Sequence, residues 1–225
     1  YVVRHIDRLQ CSVTLLGLFP YQPWCRHSKL MQQPARSIST NQTGIHQNLQ
    51  KVVTRQLLSV SQRPLSSHTQ QAFEEAINWL GKWQGELILD SCCGVGESTV
   101  NIAQAHPNAR VIGIDKSALR TDKHTSYASA LQNYLVLRAD LNDFLRLLVA
   151  NDKKLTKNYL LYPNPYPKSA HLQRRWYATS ALKDILELGG ILEVRSNWQL
   201  YIQEFSAALD IAHVKNQIAL FESDK

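Results

Sequence analysis

Acidic residues are almost missing from the first third of the chain. From Tyr1 to Gln70 there are eight Lys or Arg and one acid, Asp7. That stretch mixes Ser, Gln, His and Pro with little periodicity. It reads as a basic N-terminal extension over residues 1–67, partly disordered, ahead of a folded domain over 68–225. Methionine is scarcer still, occurring only as Met31, while the chain opens on Tyr1. Residues 1–30 therefore read as sequence upstream of a natural start at Met31. The rival reading is an Arg-rich targeting segment, but "SVTLLGLFPYQPW" lacks the amphipathic pattern of a transit peptide.

Cysteine is sparse and unpatterned: Cys11, Cys25, Cys92 and Cys93. No C-x-x-C pair exists, so neither a zinc site nor a dithiol redox motif is expected. Few unpatterned cysteines fit a reducing, cytoplasmic setting. No apolar run approaches the length of a membrane span, so no membrane partner is expected. The formal net charge is +7 and the pI is about 9.3. That balance suits a polyanionic partner, and equally a basic soluble protein with none.

From His68 onward the pattern is regular. "TQQAFEEAINWLGKW" predicts a helix capped by Thr69, with Phe73, Ile77 and Leu80 on one face and Gly81 as its stop. Short apolar runs then alternate with helical stretches. "ELILD" (86–90), "ARVIGID" (109–115), "YLVLRAD" (134–140), "NYLLYPNP" (158–165) and "ILEVRSN" (191–197) read as strands. Between and after them, "GESTVNIAQAH", "SALRTDKHTSYASALQ", "LNDFLRLLVA", "HLQRRWYATSALKDILELGG" and "WQLYIQEFSAALDIA" read as helices. This alternation predicts an α/β fold. Its sheet is doubly wound and mostly parallel, with helices on both faces and ligands at the C-terminal strand ends.

Asp90, Asp115 and Asp140 each close a predicted strand, 25 residues apart. One strand-helix unit separates them, so all three belong on one sheet edge. The turn after Asp90 is "SCCGVGEST", where Gly94 and Gly96 permit a tight turn and close ligand approach. An acid directly before that turn would repel a pyrophosphate. It suits a cationic ligand with an ammonium and a sulfonium. Asp115 stands where an acid accepts both ribose hydroxyls, and Asp140 at the adenine end. S-adenosylmethionine needs all three, although each Asp alone could simply cap a helix or turn. Cys92 and Cys93 read as small buried residues lining the turn.

The stretch "LYPNPYPKSAHLQRRW" (161–176) is the other distinctive feature. Pro163, Pro165 and Pro167 stiffen the loop before any substrate arrives. Asn164 offers an amide and Tyr166 a stacking face. Lys168, His171, Arg174 and Arg175 offer phosphate contacts, with the last three on one face of the predicted helix. Such a loop reads as a base pocket rimmed by a backbone clamp. A plain proline turn before a solvated basic helix is the bland alternative.

Taken together, "LILDSCCGVGEST", the acids of "VIGID" and "LRAD", "YPNPYPKSAHLQRR" and "RSNWQLY" resemble the tRNA (guanine-N7)-methyltransferase family over roughly residues 69–222. The family's proline loop has the form P-D-P-W-P-K with a basic run after it, and its later motif is T-D-W-x-x-Y. The resemblance implies a class I, Rossmann-like methyltransferase using S-adenosylmethionine on tRNA or another structured RNA. It places Asp90, Gly94, Gly96, Asp115, Asp140 and Leu141 at the cofactor and Asn164 at the reaction centre. It places Tyr166, Lys168, His171, Arg174, Arg175, Asn197 and Glu222 at the substrate, and a monomer is expected. Asn164 and Asn197 stand where the family has aspartates, and Tyr166 where it has tryptophan. Two rivals follow from these departures: an amino methyltransferase using the Asn-Pro loop, and an RNA-binding paralogue without strong activity.

Overall fold

The computed structural model describes Val2–Val3 and residues 38–219. Met31, Cys11, Cys25 and Glu222 lie outside the described residues. Five parallel strands form the sheet: β2 (Glu86–Ser91), β3 (Ala109–Asp115), β4 (Tyr134–Arg138), β5 (Lys157–Leu161) and β6 (Ile191–Arg195). The two-residue β1 (Val2–Val3) pairs antiparallel with β6, giving the order β1-β6-β5-β2-β3-β4. The chain moves outward from β2 through β3 to β4, then returns to pair β5 on the other side of β2. The winding therefore reverses between β2 and β5, and a crevice opens beyond the C-terminal ends of those strands.

Strand residues divide by alternation. Leu87 and Leu89 join the large core, which also takes residues of α1 (Leu49–Leu58), α2 (Ser67–Leu80), α5 (Leu141–Ala150), α6 (Ala181–Leu188) and α7 (Gln199–Ile211). Ile88, between them, joins a smaller cluster with Ile102 and Ala103 of α3 (Glu97–Ala105). Helix α5 has apolar residues at 141, 144, 145 and 148, one face of a 3.6-residue period. Burying Phe144 or Leu145 there, both fully buried, contributes roughly 1.5–3 kcal/mol each. Phe73 of α2 meets Phe144 edge-on at 5.5 Å.

The strands and most helices stand where the periodicity placed them, but four expectations change. First, the extension is not separate from the domain in its second half. Residues 49–58 form α1, whose Leu49, Val52 and Val53 repeat at i, i+3 and i+4 and are buried against α7 and its neighbours. Second, α2 starts at Ser67, so Thr69 is a buried first-turn residue whose hydroxyl accepts from Asp140 N at 3.0 Å. Third, the helix expected over 117–132 shrinks to α4 (Ala118–Thr121) and a 3-10 turn, Asp122–Ser126. No residue of either is buried, so no apolar face holds a longer helix in place. Fourth, the helix expected over 171–190 breaks into 3-10 turns at Ser169–Arg174 and Trp176–Ala178 before α6, which stops at Gly189.

Candidate active site

The glycine turn lies between β2 and α3. Gly94 (φ 62°) and Gly96 (φ 80°) both occupy left-handed backbone. Around Gly94 the space is open, since an added Cβ would meet nothing within 4 Å. At Gly96 an added Cβ would come within 2.5 Å of His124 Nδ1, so only glycine fits. That histidine escaped the sequence reading. Its Nδ1–H donates to Val95 O at 2.9 Å and braces the turn from the far side. Cys92 holds φ 64° without being glycine, and burial pushes its thiol up to about 12. Cys93 is buried and its thiol is raised in the same way.

Asp90 is fully buried one residue before the end of β2. Its Oδ2 accepts from Ser98 Oγ at 2.6 Å and Thr99 Oγ1 at 2.7 Å, both in the first turn of α3. Its Oδ1 is buried with no partner among the described residues. Burial pushes this carboxyl above its usual range, and the like charge of Asp115 adds to that push, while the two hydroxyls oppose it. Asp115, at the end of β3, reaches the same turn: its Oδ2 accepts from Gly94 N at 3.1 Å. That oxygen also accepts from Arg120 at 3.1 Å, and Oδ1 accepts from Ser117 N at 2.8 Å. Asp90, Gly94, Gly96 and Asp115 are thus brought together.

Asp140 stands apart from that pair. Strand β4 ends at Arg138, and Asp140 is the N-cap of α5, accepting from Asn142 N at 3.0 Å. Arg63 also bonds it at 3.2 Å and reaches Asp143 at the same distance. Burial alone would raise the Asp140 carboxyl, but the bonds from Asn142 and Arg63 outweigh it and hold the group below its usual range. Capping is what these contacts do. Leu141 is a buried core residue at the start of α5.

Beyond β5, the proline loop carries Asn164 three residues past the strand end, exposed. Asn164 Oδ1 accepts from Tyr166 N at 3.3 Å, closing a local turn. Tyr162 and Tyr166 both have positive φ, 49° and 45°. The Tyr166 ring is already engaged, edge-on with His171 at 6.2 Å and 5.9 Å from the Arg174 guanidinium. Tyr162, which sequence reasoning passed over, is the freer aromatic at 58% exposure. Its left-handed backbone has no signature in the sequence. Lys168 and Arg174 are exposed, His171 is half-buried, and Asn197 is exposed just after β6.

Arg175 requires a correction. It was expected to bind phosphate beside His171 and Arg174, but it is fully buried. A 3-10 turn repeats every three residues, so His171 and Arg174 share a face while Arg175 turns inward. There it pairs with fully buried Glu204 of α7 and donates to Tyr177 Oη at 3.3 Å, Gln42 Oε1 at 3.0 Å, Tyr166 O at 3.2 Å and Lys168 O at 3.3 Å. Glu204 also accepts from Tyr177 Oη, from Gln42 Nε2 at 2.6 Å and from His46 N at 2.7 Å. The segment before α1 ties the loop down further: Thr40 donates to Pro167 O at 2.6 Å, and Ser169 N donates to Asn41 Oδ1 at 3.0 Å.

A family model described as "Putative methyltransferase" matches residues 84–220, which include both the glycine turn and the proline loop. Among curated proteins, the tRNA (guanine-N(7)-)-methyltransferase of Mycobacterium ulcerans (strain Agy99) is 30% identical over 163 residues, 69% of this chain and 58% of that protein. That of Shewanella oneidensis is 28% identical over 142 residues, 60% of this chain and 59% of its own length. The chain thus spans between 48% and 59% of the length of these and similar curated relatives. A solved antibiotic-related methyltransferase aligns at TM-score 0.46 and 15% identity, covering 69% of this chain and 78% of that one.

Proposed function

The chain belongs to the putative methyltransferase family, and on that premise we propose that it methylates tRNA at guanine N7, using S-adenosylmethionine as donor. The observation that carries this reading is the pairing of Asp90 and Asp115 at adjacent strand ends around an open glycine turn. One buried oxygen of Asp90 has no partner there. Two carboxylates at adjacent strand ends form a poor pyrophosphate site and a good site for a cation-bearing nucleoside. The donor, when bound, supplies an electrophilic methyl on a sulfonium. Asp90 Oδ1 would accept from its ammonium. Asp115 would take the ribose hydroxyls once Arg120, 59% exposed, swings away. Asp140 and Leu141, at the start of α5, would border the adenine.

Guanine N7 carries an in-plane lone pair and no proton, so its methylation needs no general base. It needs alignment and exclusion of water. Asn164 and Asn197 would orient the base, with Tyr162 and Tyr166 against it and Lys168, His171 and Arg174 on the phosphates. The Asn164 amide favours guanine over an exocyclic amine. Its Oδ1 is engaged by Tyr166 N, and its Nδ2 has no partner among the described residues. An Nδ2 donor can meet guanine O6 next to N7, whereas an amine substrate needs the oxygen. Glu222 would add a further substrate contact from the C-terminal segment.

The test is a nucleoside profile of tRNA from cells with and without the gene, read by mass spectrometry. Loss of 7-methylguanosine alone supports the reading. Loss of N6-methyladenosine, or an unchanged profile, refutes it.

A further inference from the structure

We infer that α1 forms part of the RNA-binding face, so that a substrate strand leaving the proline loop runs its phosphates across Lys51 and Arg55. This extends the tRNA-methylation reading and rests on it. Lys51 and Arg55 are exposed and four residues apart on α1, about 6 Å along one helix face. Arg55 Nη2 donates to Gln173 Oε1 at 3.0 Å, which joins α1 to the 3-10 turn that carries His171 and Arg174. The loop cations Lys168, His171 and Arg174 therefore lie on a segment bonded directly to α1.

Among the described residues, no carboxylate pairs with that row. Residues 38–73 contain no Asp or Glu. The acids on the helices packed against α1 are otherwise placed. Glu204 is buried with Arg175, Asp210 at the end of α7 accepts from Asn216 Nδ2 at 2.7 Å, and Asp184 and Glu187 of α6 lie beside each other. Among the described residues, none of Lys51, Arg55, Lys168 and Arg174 has a carboxylate partner. Burial, then the charges of Arg174, Lys168 and Arg175, hold His171 below its usual proton affinity. Four cations left unpaired along one track make a site for a polyanion, and a nucleic-acid backbone is the polyanion that a base-modifying loop must also hold. Salt bridges of this kind position the strand and carry no sequence information.

The experiment measures binding of a tRNA transcript across a salt series for the full chain and two charge-matched double variants. Lys51→Gln/Arg55→Gln alters the proposed track. Lys82→Gln/Lys154→Gln alters exposed cations just before β2 and β5, at the opposite sheet edge. S-adenosylmethionine binding by each variant checks that the fold is intact. The α1 variant should bind tRNA at least about tenfold more weakly near 0.1 M salt, with a log–log salt slope shallower by about 1.4–1.8 units. The opposite-edge variant should match the parent. An unchanged slope in the α1 variant, or an equal loss in both variants, overturns the inference while leaving the methylation reading intact. A parent chain that binds no tRNA overturns both.

Discussion

Arg175 and Glu204 form a fully buried ion pair directly beneath the proline loop, with Arg175 also donating to the carbonyls of Tyr166 and Lys168. Buried charges are tolerated only when paired and hydrogen-bonded on all sides, and this pair is. Its guanidinium further lies 4.9 Å from the Trp198 ring.

Removing one partner should therefore be costly. Arg175→Met is expected to lower stability by about 3–5 kcal/mol, because it strands the Glu204 carboxylate. Glu204→Gln should cost less, since the amide keeps an acceptor for Tyr177 and His46. Urea unfolding of both singles and the double variant checks this. The double should lose much less than the sum, and additive losses under about 1 kcal/mol each would contradict a coupled pair.

Asp90 gives a pH-dependent prediction. Its folded-state proton affinity is raised, mainly by burial. A carboxyl of that kind contributes stability below its unfolded pKa of about 3.9 and loses the contribution as pH rises through the folded value. Above that folded value the charged, half-partnered carboxylate is a cost that function retains. Asp90→Asn should match or exceed the parent's thermal stability at pH 7, and its advantage should shrink as the solution is acidified. A variant less stable than the parent at pH 7 would contradict this.

Asn164 tests the chemistry. A methylated guanine is cationic, so a carboxylate at position 164 should favour the charge that develops in the transition state. Asn164→Asp supplies that carboxylate but gives up the Nδ2 donor to guanine O6, so its control is Asn164→Ala, which lacks both: Asn164→Asp is expected to react roughly tenfold faster than Asn164→Ala in single turnover on tRNA guanine. A rate no higher than that of Asn164→Ala would mean that the reacting atom is not a developing cation at this position.

How far these positions could be read from sequence depends on what fixed them. The strands and helices α5 and α7 were legible because strong apolar periodicity meets a real core at Phe144, Leu145, Phe205 and Leu209. The glycine turn and the Asp90–Asp115 edge followed from spacing alone. Arg175 was misread because an α-helical repeat was assumed where the chain makes a 3-10 turn. Helix α1 was missed because polar, acid-free surroundings masked its short stripe of Leu49, Val52 and Val53. Asp140 also caps α5 by accepting from Asn142 N, a structural task that spacing cannot distinguish from that of a ligand carboxylate. Tyr162 depends on a backbone conformation that residue type does not signal.

A calorimetric titration with S-adenosylmethionine tests the central claim most directly, on the parent chain and on Asp115→Ala. The account predicts saturable binding by the parent and a loss of at least about tenfold, or 1.4 kcal/mol, in the variant. No binding by the parent, or equal binding by both, would contradict it.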